Sequence, residues 1–436
     1  MLLSTSCEYM VKQLSVFLLA MGAVLLLAAA PAFASGEGVG GFVKTPQQKP
    51  IPGVKFTVKK GAKTIGTAVS DKAGRWLVSV PGPGKYAVTI DTATIPKGLT
   101  LRNIGGSTLP DVVVPAGAVQ FVIFPLVPPS QAGHTTPHTS AFDQLAGLTL
   151  DGIELGIIIA MGAVGLSLIF GVTGLVNFAQ GELVTFGGLV AWWLSTWGSG
   201  PGLPLVLAGI LAVAAGAGLG MSLELGLFRP LRRRRTGNVS LIVVTIGLSL
   251  VLSNIFLIMV GGHPLQYAQY VIQTEVGPGP FTLTPKDWII VGLGIVILIT
   301  VGLLLQRTRY GTALRAVSDN PDLASSSGIG VERVILVTWM GGAALAATGG
   351  VFLGIATAVE WDMGLEMLLL LFAAVVLGGI GTVYGAVLGA LVIGIVTQVS
   401  TYWVNPEAKN AVAFLVLIAV LLVRPQGILG RRERVG

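Results

Sequence analysis

Hydrophobic and polar positions follow two different rhythms along this chain. Between residues 36 and 127 the rhythm is short. Val54-Lys55-Phe56-Thr57-Val58, Trp76-Leu77-Val78-Ser79-Val80 and Tyr86-Ala87-Val88-Thr89-Ile90 each place apolar residues at every second position, the period of a strand with one buried face. Asp71-Lys72-Ala73-Gly74 and Pro81-Gly82-Pro83-Gly84-Lys85 separate them with turn-forming residues. Strands so punctuated predict a small antiparallel β-sandwich. Beyond residue 144 the rhythm changes to long apolar runs. We read spans near 145–171, 174–197, 202–228, 239–260, 287–306, 334–357, 366–384, 386–403 and 411–423, several of them near the ~20 residues that cross ~30 Å of hydrocarbon. Glycine-rich spans are open to being broken or re-entrant, which is tolerated only where the chain is buried in protein or lines a cavity. The fold expected is an all-α polytopic membrane bundle of about 8–10 spans, preceded by a small extracytoplasmic antiparallel β-sandwich.

The ends and joints of these blocks complete the domain plan. Lys12 precedes an apolar run from Leu14 to Ala30 that closes on Ala32-Phe33-Ala34, the pattern of a secretory signal over 1–34; an uncleaved anchor helix is the alternative. The β-sandwich over 36–127 then lies outside. Residues 128–144 form a linker rich in Pro, Ser and Thr. Its His134 and His138 read as solvated rather than metal-binding, because nothing in such a linker fixes their geometry. The transmembrane domain runs over 145–430 and a cytoplasmic tail over 431–436.

Composition sharpens this picture. Of 436 residues, 53% are hydrophobic and 11% charged, with a mean hydropathy of +0.82. Soluble domains carry about 25% charged residues, so too little polar surface remains to keep such a chain in water. The formal charge of +7 does not point to nucleic acid, because the basic residues cluster in short loops between apolar runs. With the β domain outside, the inner loops hold Arg229, Arg232, Arg233, Arg234 and Arg235, then Arg307, Arg309, Arg315 and Arg333, then Arg424, Arg431, Arg432 and Arg434. The opposite loops hold little more than Lys286 and Lys409. This is the positive-inside pattern. The single cysteine, Cys7, allows no internal disulfide framework and no cysteine metal site.

No phosphate-binding G-x-x-x-x-G-K-[ST] loop, G-x-S-x-G elbow or H-E-x-x-H helix occurs in the sequence, so no enzyme chemistry, cofactor or metal is assigned. A pump built on this chain draws energy from a partner chain or an ion gradient.

Three stretches stand out. In the first, Gly165 to Gly188, the polar residues Asn177, Gln180, Glu182 and Thr185 interrupt apolar sequence. Polar groups at membrane depth usually face a cavity or bundle interior, and Gly171, Gly174 and Gly181 are placed to break the helix and free backbone groups for a substrate. The competing reading puts Glu182 at an interface and the rest in packing. The second stretch is the internal loop Arg307 to Arg333, read as helical through Thr312–Val317. Asp319-Asn320-Pro321 stops that helix and starts another, with Pro at a first helical position, and Gly328-Ile329-Gly330 turns the chain back. Loops of this length are usually functional, and a soluble ATPase needs such an element to grip. In the third, Gly381, Gly385 and Gly389 recur every four residues and predict a smooth face for helix packing.

These stretches, with Arg424-Pro425-Gln426-Gly427, give residues 145–430 a resemblance to the permease subunits of branched-chain amino-acid ABC importers. Asn177-Phe178-Ala179-Gln180-Gly181-Glu182 is similar to the family's N-F-A-H-G-E signature, with Gln180 where the family has His. The run Arg309-Tyr310-Gly311 to Pro321 resembles its ATPase-contacting loop. The resemblance implies a second homologous permease chain, two ATPase chains and an extracytoplasmic substrate-binding protein. It implies inward movement of leucine-type amino acids by alternating access, with urea or short amides as the alternative substrates and an ion-coupled secondary transporter as a different class. On this reading Tyr310, Leu314 and Leu323 are apolar anchors for the ATPase, Arg309 and Arg315 polar contacts, and Gly311 permits close approach. In the N-terminal domain, Pro50-Ile51-Pro52-Gly53-Val54, Ser70-Asp71-Lys72-Ala73-Gly74-Arg75-Trp76 and Gly84-Lys85-Tyr86 resemble the carboxypeptidase-regulatory-like β-sandwich family.

Overall fold

A computed structural model describes residues 37–127 apart from 44, 46–49, 73, 102–105, 115–118, 123 and 125, then residue 129, then residues 141–429 apart from 197–201, 263, 268–282, 406, 407 and 425. The segment read as a signal, the linker histidines, Pro425 and the tail 431–436 lie outside the described residues. The chain divides into two compact units, one carrying the strands and one the helices.

The first unit contains β1 (Gly38–Phe42), β2 (Lys55–Lys60), β3 (Lys63–Val69), β4 (Arg75–Ser79), β5 (Gly84–Ile90), β6 (Thr100–Leu101), β7 (Thr108–Val114), β8 (Val119–Phe121) and β9 (Leu126–Val127). They form sheets ordered β4-β1-β8, β3-β2-β5-β7 and β6-β9. The alternation seen in the sequence is the burial pattern: Phe56 and Val58, Trp76 and Val78, and Tyr86, Val88 and Ile90 join Val39, Phe124 and Leu126 in one core. Across this core the Phe56 ring stacks on Trp76 at 4.2 Å, a contact worth about 0.5–1.5 kcal/mol beyond the area buried. The buried Ser70 hydroxyl donates to the Ile51 carbonyl at 2.8 Å and accepts from the Val54 amide at 2.9 Å. It thereby fastens the Pro50–Val54 run to the turn before β4. The pairing is not wholly antiparallel as expected, because β1 runs parallel to β8.

The second unit contains α1 (Ala141–Thr173), α2 (Gln180–Thr196), α3 (Leu205–Leu223) continuing through a π-turn to α4 (Arg229–Arg233), α5 (Asn238–Val260), α6 (Pro285–Arg307), α7 (Arg309–Asp319), α8 (Pro321–Ser326), α9 (Val331–Ala356), α10 (Met363–Gly378), α11 (Val383–Val399) and α12 (Lys409–Val423). Among the described residues, six apolar helices are long enough to cross a membrane: those at Ala141–Thr173, Leu205–Arg233, Asn238–Val260, Pro285–Arg307, Val331–Ala356 and Val383–Tyr402. α1 begins at Ala141, inside the segment read as linker. α2 and α10 are shorter than the spans read from the sequence, with 17 and 16 residues, and α12, with 15, starts two residues before the span read at 411–423. At 1.5 Å per residue each covers roughly 25 Å.

Short helices leave polar backbone ends at membrane depth, and these ends must find protein partners. α10 finds them at both ends. The Thr185 hydroxyl accepts from the Gly364 amide at 3.0 Å, one of the first N–H groups of α10. At the other end the amides of Ile428 and Leu429 donate to the carbonyls of Leu377 and Gly378 at 2.8 and 3.0 Å. Gly427 makes that approach possible. It has φ +77°, and a Cβ there would press on the backbone of Val376 and Gly379. The tail motif is thus a cap for α10.

α9 is the hub of this unit and packs on α2 and α3. A Cβ on Gly350 of α9 would overlap the Val184 carbonyl of α2, and one on Gly220 of α3 would meet Ala343 and the Trp339 carbonyl. Close backbone approach of this kind is how apolar helices associate where burial alone gives no preference. At the end of α3 a fully buried carboxylate, Glu224, is met by both outer nitrogens of Arg232 at 2.9 and 2.5 Å. Arg229 pairs in turn with Glu332 in the first turn of α9. Two of the arginines read only as orientation signals therefore hold α3 to α9, whereas Arg233, Arg234 and Arg235 are exposed.

Candidate functional site

The break between α1 and α2 is where the sequence placed its polar cluster. α1 ends at Thr173, Gly174 takes φ +65°, and the chain is non-helical until Gln180. The left-handed φ needs glycine, so Gly174 is a true helix breaker. Gly171 and Gly181 lie inside helices and do not break them. Gly181 instead allows contact with α10, since a Cβ there would overlap the Gly364 carbonyl.

Asn177, Gln180, Glu182 and Thr185 are all fully buried. The Asn177 side-chain oxygen accepts from the Ala179 amide at 3.1 Å, turning the chain into α2, and its Nδ2 donates to Gln180 Oε1 at 3.2 Å. Gln180 Nε2 then faces the carbonyls of Gly162 in α1 and Gly342 in α9, at 3.5 and 3.4 Å. These are at the long edge of hydrogen bonding. Thr185 is occupied by its capping role at α10. The structure thus gathers Asn177, Gln180 and Glu182 round the break and brings Thr185 and Gly181 against Gly364 of α10.

α5 completes this region, and the sequence reading missed it. Thr245 and Ser249, both buried, lie one turn apart on the α5 face that meets the break. Thr245 Oγ1 accepts from the Phe178 amide at 3.2 Å and donates to the Ile242 carbonyl at 2.7 Å. Ser249 donates to Glu182 Oε1 at 3.1 Å, while Glu182 Oε2 is buried with no partner among the described residues. The signal was present in the four-residue spacing of Thr245, Ser249 and Ser253 within apolar sequence. Glu154 of α1 is a further buried acid that the sequence reading passed over.

The internal loop forms two helices, as its punctuation predicts. Asn320 ends α7 and caps α8 through its side chain, accepting from Leu323 N at 2.9 Å, and Pro321 is the first residue of α8. Gly328 turns at φ +82°. The six residues read as ATPase contacts divide between two faces. Arg309, Arg315 and Leu323 are exposed, Leu323 to 67%, and Leu314 is half-buried. Tyr310 and Gly311 face the bundle. Gly311 is buried against the end of α6, where a Cβ would overlap the Leu305 carbonyl. The Tyr310 hydroxyl lies 2.8 Å from Thr338 Oγ1, whose own proton goes to the Val334 carbonyl at 2.7 Å, so the phenol is the donor. Burial pushes that phenol above its ordinary pKa, partly offset by the bond to Thr338. Arg315 also has an inward task, donating to the Leu305 carbonyl at 3.1 Å.

The third stretch departs from its reading at one position. Gly381 is not on a helix face but in the turn between α10 and α11, at φ +80° beside Gly379 at +108°. Gly385 and Gly389 do pack as a face, against Gly378 and Ala374 of α10.

Residues 148–421 match the family described as branched-chain amino acid transport system / permease component. The high-affinity branched-chain amino acid transport system permease protein LivH of Escherichia coli K12 is 33% identical over 296 residues, which is 65% of this chain and 94% of LivH. The corresponding BraD of Pseudomonas aeruginosa is 31% identical over 295 residues, 65% of this chain and 95% of BraD. A probable LivH of Methanocaldococcus jannaschii is 30% identical over 286 residues, 62% and 87% of the two chains. The strands of the first unit precede the matched residues. The apolar helices, the polar break and the match across almost the whole helical unit make this chain a multi-pass membrane transport subunit that belongs to the family of branched-chain amino acid transport system permease components.

Proposed function

We propose that this chain is the permease subunit of an ATP-driven importer that moves leucine-type amino acids inward by alternating access. ATP hydrolysis occurs on two separate ATPase chains, a second homologous permease chain completes the pathway, and an extracytoplasmic binding protein delivers the substrate. The β domain lies outside, and the arginine-rich loops, α7 and the C-terminus lie inside, in keeping with the positive-inside distribution. The substrate path runs past the α1–α2 break, along Asn177, Gln180 and Glu182.

One observation carries the substrate class. Glu182 is fully buried, and among the described residues only one of its two oxygens meets a donor. A buried carboxylate is costly without a cationic or donor partner. The ammonium group of an amino acid supplies one, and the apolar helices α1, α2 and α5 that meet at the break suit a leucine side chain. Urea brings donors but no charge. Uptake of labelled leucine and labelled urea, measured in a strain deleted for this chain and complemented with it, tests the reading. Restored leucine uptake is expected. Restored urea uptake with no effect on leucine would overturn the substrate class.

A further inference from the structure

We infer that α7 is tied to the end of α1 through Ser318 and, through Tyr310, to α9, which faces the α1–α2 break, and that these two bonds transmit its movement to the substrate path. The inference rests on the importer reading above, in which the ATPase grips α7.

The first tie is at Gly171. With α1 ending at Thr173, the Gly171 carbonyl is among the last ones, which have no donor within the helix. The Leu175 amide, which would have served it in a longer helix, goes to Thr173 Oγ1 at 3.2 Å. Ser318 of α7 takes its place and donates to the Gly171 carbonyl at 2.5 Å. A residue of the internal loop thus caps the helix immediately before Gly174, where the chain departs from helical geometry.

The second tie is at Thr338, which receives the Tyr310 hydroxyl. One turn further along α9 lies Gly342, whose carbonyl faces the Gln180 amide of the break. Tyr310 and Ser318 are eight positions apart on one rigid helix, roughly 12 Å along its axis. α7 is itself firmly held, by the Thr308 cap on the Gly311 amide at 3.2 Å and by Arg315 on the end of α6. Arg309, Thr312 and Asp319 are exposed on α7. Exposed groups available to a partner, with Ser318 bonded to the end of α1 and Tyr310 to α9, make α7 a lever. Coupling of this kind requires both ties to bias the same movement. Ser318 and Tyr310 are positioning residues, since neither touches the substrate path.

The test uses the complete importer in proteoliposomes, with Ser318→Ala, Tyr310→Phe and the double variant, and Ser318→Thr as rescue. The quantity read is leucine taken up per ATP hydrolysed. Each single variant is expected to lower it about threefold and the double variant about tenfold or more, with Ser318→Thr close to wild type. ATPase co-purification with Ser318→Ala is expected to stay normal. A second measurement separates coupling from mere stability. A fluorophore on Val176→Cys, in a Cys7→Ser background, should report ATP binding in the wild type and fall silent in the double variant. Full uptake per ATP in the double variant, or an unchanged fluorescence response, overturns the inference. Absence of ATP-dependent uptake by the wild-type assembly instead overturns the importer reading on which it rests.

Discussion

Ser249 of α5 donates a hydrogen bond of 3.1 Å to Glu182 of α2, and it reaches only one of the two carboxylate oxygens. Among the described residues, the arrangement leaves a buried acceptor free beside the broken segment. Glu182→Gln keeps the shape and removes the charge. Leucine uptake is expected to fall on the order of tenfold to a hundredfold, the range for losing one charge-assisted hydrogen bond, with assembly unchanged. Ser249→Ala should have a smaller effect in the same direction. Initial uptake rates normalised to assembled importer measure both, and wild-type rates for Glu182→Gln would remove this acid from the substrate path.

Thr185 and Gly181 are expected to behave as packing residues despite lying in the same sequence motif. Thr185→Val strips the acceptor from the Gly364 amide, and leaving that buried donor unpaired costs about 1–3 kcal/mol. The purified protein should melt at a lower temperature while uptake per assembled importer is retained. Gly181→Val forces a side chain into the Gly364 carbonyl and should depress folded yield more strongly. Lost uptake at unchanged stability in Thr185→Val would return that hydroxyl to the substrate path.

The contrast between Glu182 and Thr185 also indicates what a sequence can convey. Period and punctuation are local, so the strands round Phe56, Trp76 and Tyr86, the long apolar helices and the Asn320-Pro321 joint were all legible. The break at Gly174 was legible too, because polar residues clustered at membrane depth need a cavity or a packed interior to face. Partners distant in sequence were not. Nothing near Thr185 points to Gly364, and nothing near Ser318 points to Gly171. Gly381 illustrates the limit from the other side. Its four-residue spacing from Gly385 mimics a helix face, but a positive φ leaves no mark on spacing. The arginines at 229–235 read as one charge block, and only the fold separates Arg232, which meets a buried acid, from its exposed neighbours.

That separation is measurable. Arg232→Ala would strand Glu224 as a buried charge with no cation beside it, at a cost of about 3–5 kcal/mol. Arg233→Ala, at an exposed position, should stay within about 0.5 kcal/mol of wild type. Thermal unfolding in detergent should rank them accordingly. Equal stability of the two variants would show that the Glu224 pair contributes nothing to holding α3.

Orientation gives a prediction independent of the site. Reporter fusions at residue 130 and after residue 436 should report opposite compartments, with the fusion at 130 outside. The same compartment for both would overturn the odd number of crossings that the arginine distribution implies.

The last prediction concerns the outer face of α7 and α8. Leu323 is 67% exposed on α8, a large apolar side chain on a polar loop. Exposed apolar anchors of this kind concentrate interface energy, so Leu323→Glu is expected to abolish ATPase co-purification while leaving the permease folded. Arg309→Glu, at an exposed site at the start of α7, should weaken co-purification by reversing a charge at the rim. The sequence makes Gly311 a point of close ATPase approach, but its buried position against the Leu305 carbonyl gives a different expectation. Gly311→Trp should lower folded yield before any effect on the ATPase can be seen. Co-purification yield and thermal stability, measured side by side on the three variants, separate these outcomes. A stable Leu323→Glu permease that still retains its ATPase would move the docking surface to another exposed element, with the exposed arginines at 233–235 the next to test.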